Sequence, residues 1–125
     1  MSDKKFLEHL TEALTSIINK GAFKVKNKLN ISNFAYIILI EGLKEATIIK
    51  TSINDNHMFI DKEAREIRDY EIDNSTLILI FKQKVLEKSP QSDLNLMNEI
   101  IKGNVRFIGN VLLVMYLFEE HDSIT

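Results

Sequence analysis

The side chains best suited to acid–base or metal chemistry are three histidines, His9, His57 and His121, with the carboxylates beside them. Asp55 and His57 stand two apart in a turn-like Asn-Asp-Asn-His stretch, a spacing that suits a base and the group that orients it. No nucleophile of obvious placement accompanies them, so the pair does not amount to a catalytic constellation. Glu119, Glu120 and His121 are consecutive, and consecutive helical side chains point in different directions, which is poor geometry for holding one ion. His9 falls among helix-surface charges and is expected to be solvated. The absence of cysteine excludes disulfides, thiol catalysis and sulfur-ligated zinc. There is no HExxH motif, no glycine-rich phosphate loop and no basic aromatic platform for nucleic acid. The formal net charge of -2 gives no field that would recruit a polyanion. The sequence is therefore read as that of a non-enzyme with no catalytic residue, metal or cofactor.

What the sequence offers instead is apolar surface. Val111 to Phe118 are eight consecutive apolar residues, a helix with no wet side. A bilayer span needs about 20, so this helix must be covered by the rest of the protein, by a ligand or by another chain. It follows a short segment, Asn104 to Ile108, bracketed by Gly103 and Gly109. Phe107 lies on that segment. Leu113, Leu117 and Phe118 share one arc of the helix, with Val114 and Met115 opposite; methionine is deformable and suits an adaptable apolar wall. With Phe81 on an earlier strand, Phe107, Leu113, Val114, Leu117 and Phe118 are the candidate ligand-binding residues. Taken singly, each is also an ordinary core side chain.

The elements that must position them follow from periodicity. Phe6, Leu7, Leu10, Ala13, Leu14, Ile17 and Ile18 mark one face of a helix over 4–20, with Gly21 where it should stop. Residues 22–30 read as an edge or loop. If extended, Lys24, Lys26 and Lys28 share one side, and a stripe of three lysines could touch anionic head groups at a membrane surface. Strands are expected at Phe34–Ile40, Thr47–Ile53, His57–Ile60 and Ser75–Phe81, the first three as an antiparallel meander. The stretch 61–73 is charged at nine of thirteen positions and reads either as a helical turn with Asp61–Arg65 and Arg65–Asp69 pairs or as a strand. Ser89-Pro90 opens a further helix over about 91–102, and Val105–Ile108 is a fifth strand.

Phe34–Ile40 and Leu77–Phe81 are apolar on both faces, so both sides of the sheet need cover. Five strands make a sheet roughly 24 Å wide, and each face takes about two helices of about 10 Å. The expected fold is α+β, one domain over 1–125: a five-stranded, mostly antiparallel sheet covered by three to four helices. Cover is nearly complete but not generous, and a gap under the last helix would be a hydrophobic cavity.

The stretch Asp73-Asn74-Ser75-Thr76-Leu77-Ile78-Leu79-Ile80-Phe81, a helical segment, then Ile101-Lys102-Gly103-Asn104-Val105-Arg106-Phe107-Ile108-Gly109-Asn110 and an apolar final helix resembles the sterol-carrier-protein-like lipid-binding family. The resemblance implies a five-stranded, largely antiparallel sheet with helices, and an apolar tunnel for acyl chains, sterols or isoprenoids, lined in part by the final helix. The expected function is a non-catalytic module holding a lipid or other apolar small molecule. The alternative is an assembly protein that dimerises or docks to a partner through the apolar C-terminal helix. The charged, amphipathic N-terminus lacks a signal-type apolar run, and the expected location is the cytoplasm, with no nucleic-acid partner.

Overall fold

Phe6, Leu10, Leu14, Ile18, Ala22 and Val25 recur at helical spacing and are all buried. They are the inner face of helix α1, which runs from Asp3 to Leu29. The computed structural model describes residues 3–67, 73–82 and 103–118. α1 does not stop at Gly21. It continues because Ala22 and Val25 prolong the same apolar stripe, and it ends at Asn30, whose φ of 56° is the left-handed conformation that closes a helix. Lys26 and Lys28 fall in its last turn, where cations complement the helix dipole. The extended lysine stripe is thus corrected: on a helix Lys24 and Lys28 are one turn apart, while Lys26 is rotated about 200° from Lys24. The three cannot present one basic side.

The strands are β1 (Asn33–Ile40), β2 (Glu45–Asn54), β3 (His57–Glu66), β4 (Thr76–Phe81) and β5 (Val105–Gly109), in the sheet order β3-β2-β1-β4-β5. β1, β2 and β3 form the expected antiparallel meander. β4 then lies parallel to β1, with Tyr36 opposite Leu77 and Ile38 opposite Leu79. β5 closes the sheet antiparallel to β4. The sheet is therefore mixed rather than mostly antiparallel. Its parallel pair is the central strand β1 and its neighbour β4, and both are apolar on both faces, as strands covered on both sides are. A run such as Leu77–Phe81 has no direction in its pattern; the parallel placement comes from a connection long enough to cross from β3 to the far side of β1.

The stretch that read equally as helix or strand is strand as far as Glu66. Its pairs accordingly differ from the helical ones. Arg65 donates to Glu63 at 3.0 Å, two residues away on the same face, and Lys50 of β2 reaches Glu63 at 3.2 Å. The Arg65 and Lys50 hydrogen bonds hold the Glu63 carboxyl below the usual range.

One sheet face carries Phe34, Tyr36, Ile38, Ile49, Leu79 and Phe81 into the main core under α1 and the C-terminal helix, α2 (Leu112–Phe118). The other face buries Ile37, Ala46, Ile48, Ile78 and Ile80, with Leu39 and Ile67 packed against them. The described residues thus hold two helices, where three to four were expected; the helix expected over 91–102 lies outside them. No described helix is long and apolar enough to cross a membrane.

Thr51 stands among these core residues, 2% exposed, and its hydroxyl has no hydrogen-bond partner. A buried unpaired hydroxyl costs about 1–3 kcal/mol. Thr51→Val keeps the shape and removes that cost. Its urea midpoint should rise by about 1 kcal/mol of stability with the slope unchanged; a lower midpoint would mean the hydroxyl is paired.

Candidate apolar ligand site

α2 is short and is held by polar bonds at its start and one at its side. Asn110 accepts the Leu112 N–H on its side-chain oxygen at 3.1 Å and so caps the helix. Its amide nitrogen donates to the Asn74 carbonyl at 2.9 Å, and its backbone N–H donates to the Thr76 carbonyl at 3.1 Å. Asp73 in turn accepts from the Ser75 N–H at 2.8 Å and the Thr76 hydroxyl at 2.9 Å. The Asp-Asn-Ser-Thr turn and the Gly-Asn turn, 36 residues apart at Asn74 and Asn110, therefore make one joint that fixes where β4 starts, where β5 ends and where α2 begins. On its inner side, the Tyr36 hydroxyl donates to the Leu113 carbonyl at 2.7 Å.

Five of the six candidate ligand-binding residues have described side chains, and they come together. Phe81, Leu113, Val114 and Leu117 are buried in the main core, and half-buried Phe107 packs against it. The side chain of Phe118 lies outside the described residues. The inner half of α2 is seated against α1, where Leu117 comes so close to Gly21 that an added Cβ would stand 3.1 Å from its Cδ2.

The outer half of α2 is equally apolar and is open. Val111 is 41%, Leu112 37% and Met115 58% exposed, whereas Ile108 on β5, 44% exposed, is the partner of Ile78 and lies on the other face of the sheet. This patch was not legible in the sequence, because an unbroken apolar run carries no mark of which side faces water. α2 is thus an apolar wall on both sides, one packed and one bare.

Two grooves lie elsewhere, and neither is lined by any of the six residues. One, of about 370 Å³, runs between the first half of α1 and the β2–β3 ribbon, over Leu7, Thr11, Thr47 and Ala64. The other, of about 380 Å³, crosses the opposite sheet face beside Phe59, Asp61 and Asp73. The first was not legible in the sequence, where Glu8 and Glu12 are ordinary residues of a water-facing helix side.

Tyr36 gives the site a pH signature. Burial pushes its hydroxyl well above the ordinary tyrosine value. A tyrosine in the unfolded chain ionises near pH 10, whereas the folded one keeps its proton. The contribution of Tyr36 is therefore complete below about pH 10. Above that it is lost by up to about 1.4 kcal/mol per pH unit as the unfolded state sheds the proton first. In an alkaline absorbance titration one tyrosine should ionise only together with unfolding. Tyr36→Phe should abolish that phase and lose about 1 kcal/mol at neutral pH.

His57 is exposed at the β2–β3 hairpin, where Asp55 has a left-handed φ of 56°. No described element packs over the pair. His9 is half-buried on α1, and His121 lies outside the described residues. Among the described residues, no three His, Asp or Glu side chains are grouped to hold a metal ion.

No family model matches the chain. No curated protein matches it either. Among solved structures, the stereoselective inverting sec-alkylsulfatase Pisa1 from Pseudomonas sp. aligns over 70% of this chain at 13% identity and a TM-score of 0.44. A double mutant of that enzyme aligns over the same share at a TM-score of 0.46. This chain spans 12% of the sulfatase's length. Sterol Carrier Protein 2 from Yarrowia lipolytica, in its apo form, aligns over 78% of this chain and 74% of its own at 9% identity and a TM-score of 0.40.

Proposed function

We propose that the chain is a non-catalytic, sterol-carrier-protein-like module that holds an apolar ligand, a lipid, acyl chain or isoprenoid, against α2. The observation that carries this reading is the two-sided apolar character of α2, with Val111, Leu112 and Met115 exposed on the side its own core does not use. A helix that only closed a core would be polar outside. The driving force is desolvation, about 0.8 kcal/mol for each CH₂ removed from water, so an alkyl chain needs no polar anchor. Phe81, Phe107, Leu113, Val114, Leu117 and Phe118 are the inner wall in this reading.

Delipidated protein titrated with a fluorescent fatty acid should bind it saturably, and Met115→Asp should weaken the binding. Native mass spectrometry would count the bound lipid. If fatty acids, sterols and isoprenoid alcohols all fail to bind saturably, the reading is rejected.

The same patch also favours a second reading, assembly. β5, which ends with one residue between it and the patch, is an outer strand of the sheet as described, and an open strand edge is a ready surface for another chain. Light scattering over a concentration series separates the two. A lipid-free dimer that dissociates on Met115→Asp supports assembly; a monomer at all concentrations supports the ligand.

A further inference from the structure

The groove between α1 and the β2–β3 ribbon shares no residue with the α2 patch, and its lining has a different chemistry. Thr47 and Ala64 are cross-strand partners and form its floor. Leu7 and Thr11 of α1 form a wall. The rim is acidic in excess: Glu8, Glu12 and Glu45 stand against the single ammonium of Lys62, while the Glu63 carboxylate is already engaged by Lys50 and Arg65.

Two features make that excess unusual. Glu8 and Glu12 are like charges four apart on one helix, and Glu45 is directly opposite Glu66 across the β2–β3 pairing. Each arrangement is repulsive. None of these four glutamates has an ion-pair partner among the described residues. Independently, Thr47 is 8% exposed and its hydroxyl has no hydrogen bond among the described residues. That oxygen is not among the sealed, unpaired ones, so it opens onto the groove it lines and can exchange water for a ligand's donor. The Thr11 hydroxyl donates to the Leu7 carbonyl at 2.7 Å, so its proton is used and its oxygen can still accept.

We infer that this groove binds a small primary aliphatic amine: a short hydrocarbon chain ending in an ammonium group. The ammonium supplies three donors and one positive charge, the complement of the glutamate rim and of the two threonine oxygens. The hydrocarbon lies over Leu7 and Ala64. At about 370 Å³ the groove falls in the range of small-molecule pockets, about 300–1,000 Å³.

The test is an amide NMR titration of the whole chain with hexylammonium, with hexan-1-ol and hexanoate as the neutral and anionic counterparts. Hexylammonium should shift the amides of Leu7, Thr11, Thr47 and Ala64 saturably, and less tightly as salt is raised. Hexan-1-ol should bind far more weakly and hexanoate not at all. Glu8→Gln with Glu12→Gln, both exposed positions, should weaken the amine roughly tenfold, the scale of a lost charge-assisted contact. Thr47→Val should weaken it without changing the salt dependence. Equal binding of amine and alcohol, an unchanged affinity in the glutamine variant, or shifts confined to other amides would each overturn the assignment. Because the readout sits on α1, β2 and β3, it stands whether or not a lipid binds at α2.

Discussion

Gly109→Ala is expected to lower stability by about 3 kcal/mol or more, and the thermal midpoint by roughly 10 °C. Two costs combine. Gly109 has a φ of +114°, a conformation that side chains avoid at about 1–3 kcal/mol. A Cβ there would also run into the carbonyl oxygen of Thr76. That oxygen cannot retreat freely, because it accepts the Asn110 N–H at 3.1 Å, and losing such a bond costs about 1 kcal/mol. The collision therefore strikes the joint that sets β4, β5 and α2 together. Gly103→Ala is the control. Its φ is +77°, but a Cβ would meet nothing within 4 Å, so only the backbone cost applies, about 1 kcal/mol. Thermal melts of the two variants measure the difference, and equal losses would show that the Thr76 contact is not what requires glycine at 109.

The contrast between those glycines illustrates what a sequence discloses. Gly103 and Gly109 mark the ends of β5 in the sequence, and they do so in the structure, because positive φ at a strand end is a local requirement. Gly21 has the same letter and a non-local reason: it lets the Leu117 backbone approach α1, and nothing around residue 21 indicates that. The strands at 33–40, 45–54 and 76–81 are legible because β-branched runs and turn residues are local signals. β3 is less so. It is an outer strand with charges on both faces, including Asp61 and Glu63 on one and Lys62 on the other, and that pattern resembles a solvated helix as much as a strand. The position of β4 beside β1 depends on chain crossing and leaves no trace in its own six residues. For the candidate site, the clustering of Phe81, Leu113, Val114 and Leu117 is visible in the apolar runs. The bareness of Val111, Leu112 and Met115 is not, since it is decided by how α2 rotates against α1.

That rotation depends in part on the close approach of Leu117 to Gly21, and Gly21→Val is expected to disrupt it at a cost of about 2–3 kcal/mol. A Cβ at residue 21 would stand 3.1 Å from Leu117 Cδ2 and 3.2 Å from both Leu117 Cα and the Leu117 oxygen. Valine adds two further methyl groups, and overpacking of this kind costs about 1–3 kcal/mol even where neighbours can adjust. Here two of the three nearest atoms are backbone, so adjustment means moving α2 itself. The helix propensity gained by removing a glycine, a few tenths of a kcal/mol toward valine, does not offset this. Leu117→Ala alone should cost about 2–5 kcal/mol through the cavity it leaves. Combined with Gly21→Val it should cost less than the two losses added, by about 1 kcal/mol or more, because the valine occupies space the leucine vacated. Recovery cannot be complete, since the Leu117 Cα and oxygen remain in the way. Urea denaturation of the four proteins gives this cycle. Strict additivity would mean that α1 and α2 are not joined at residues 21 and 117, and the seating of α2, on which the proposed ligand wall depends, would have to be explained otherwise.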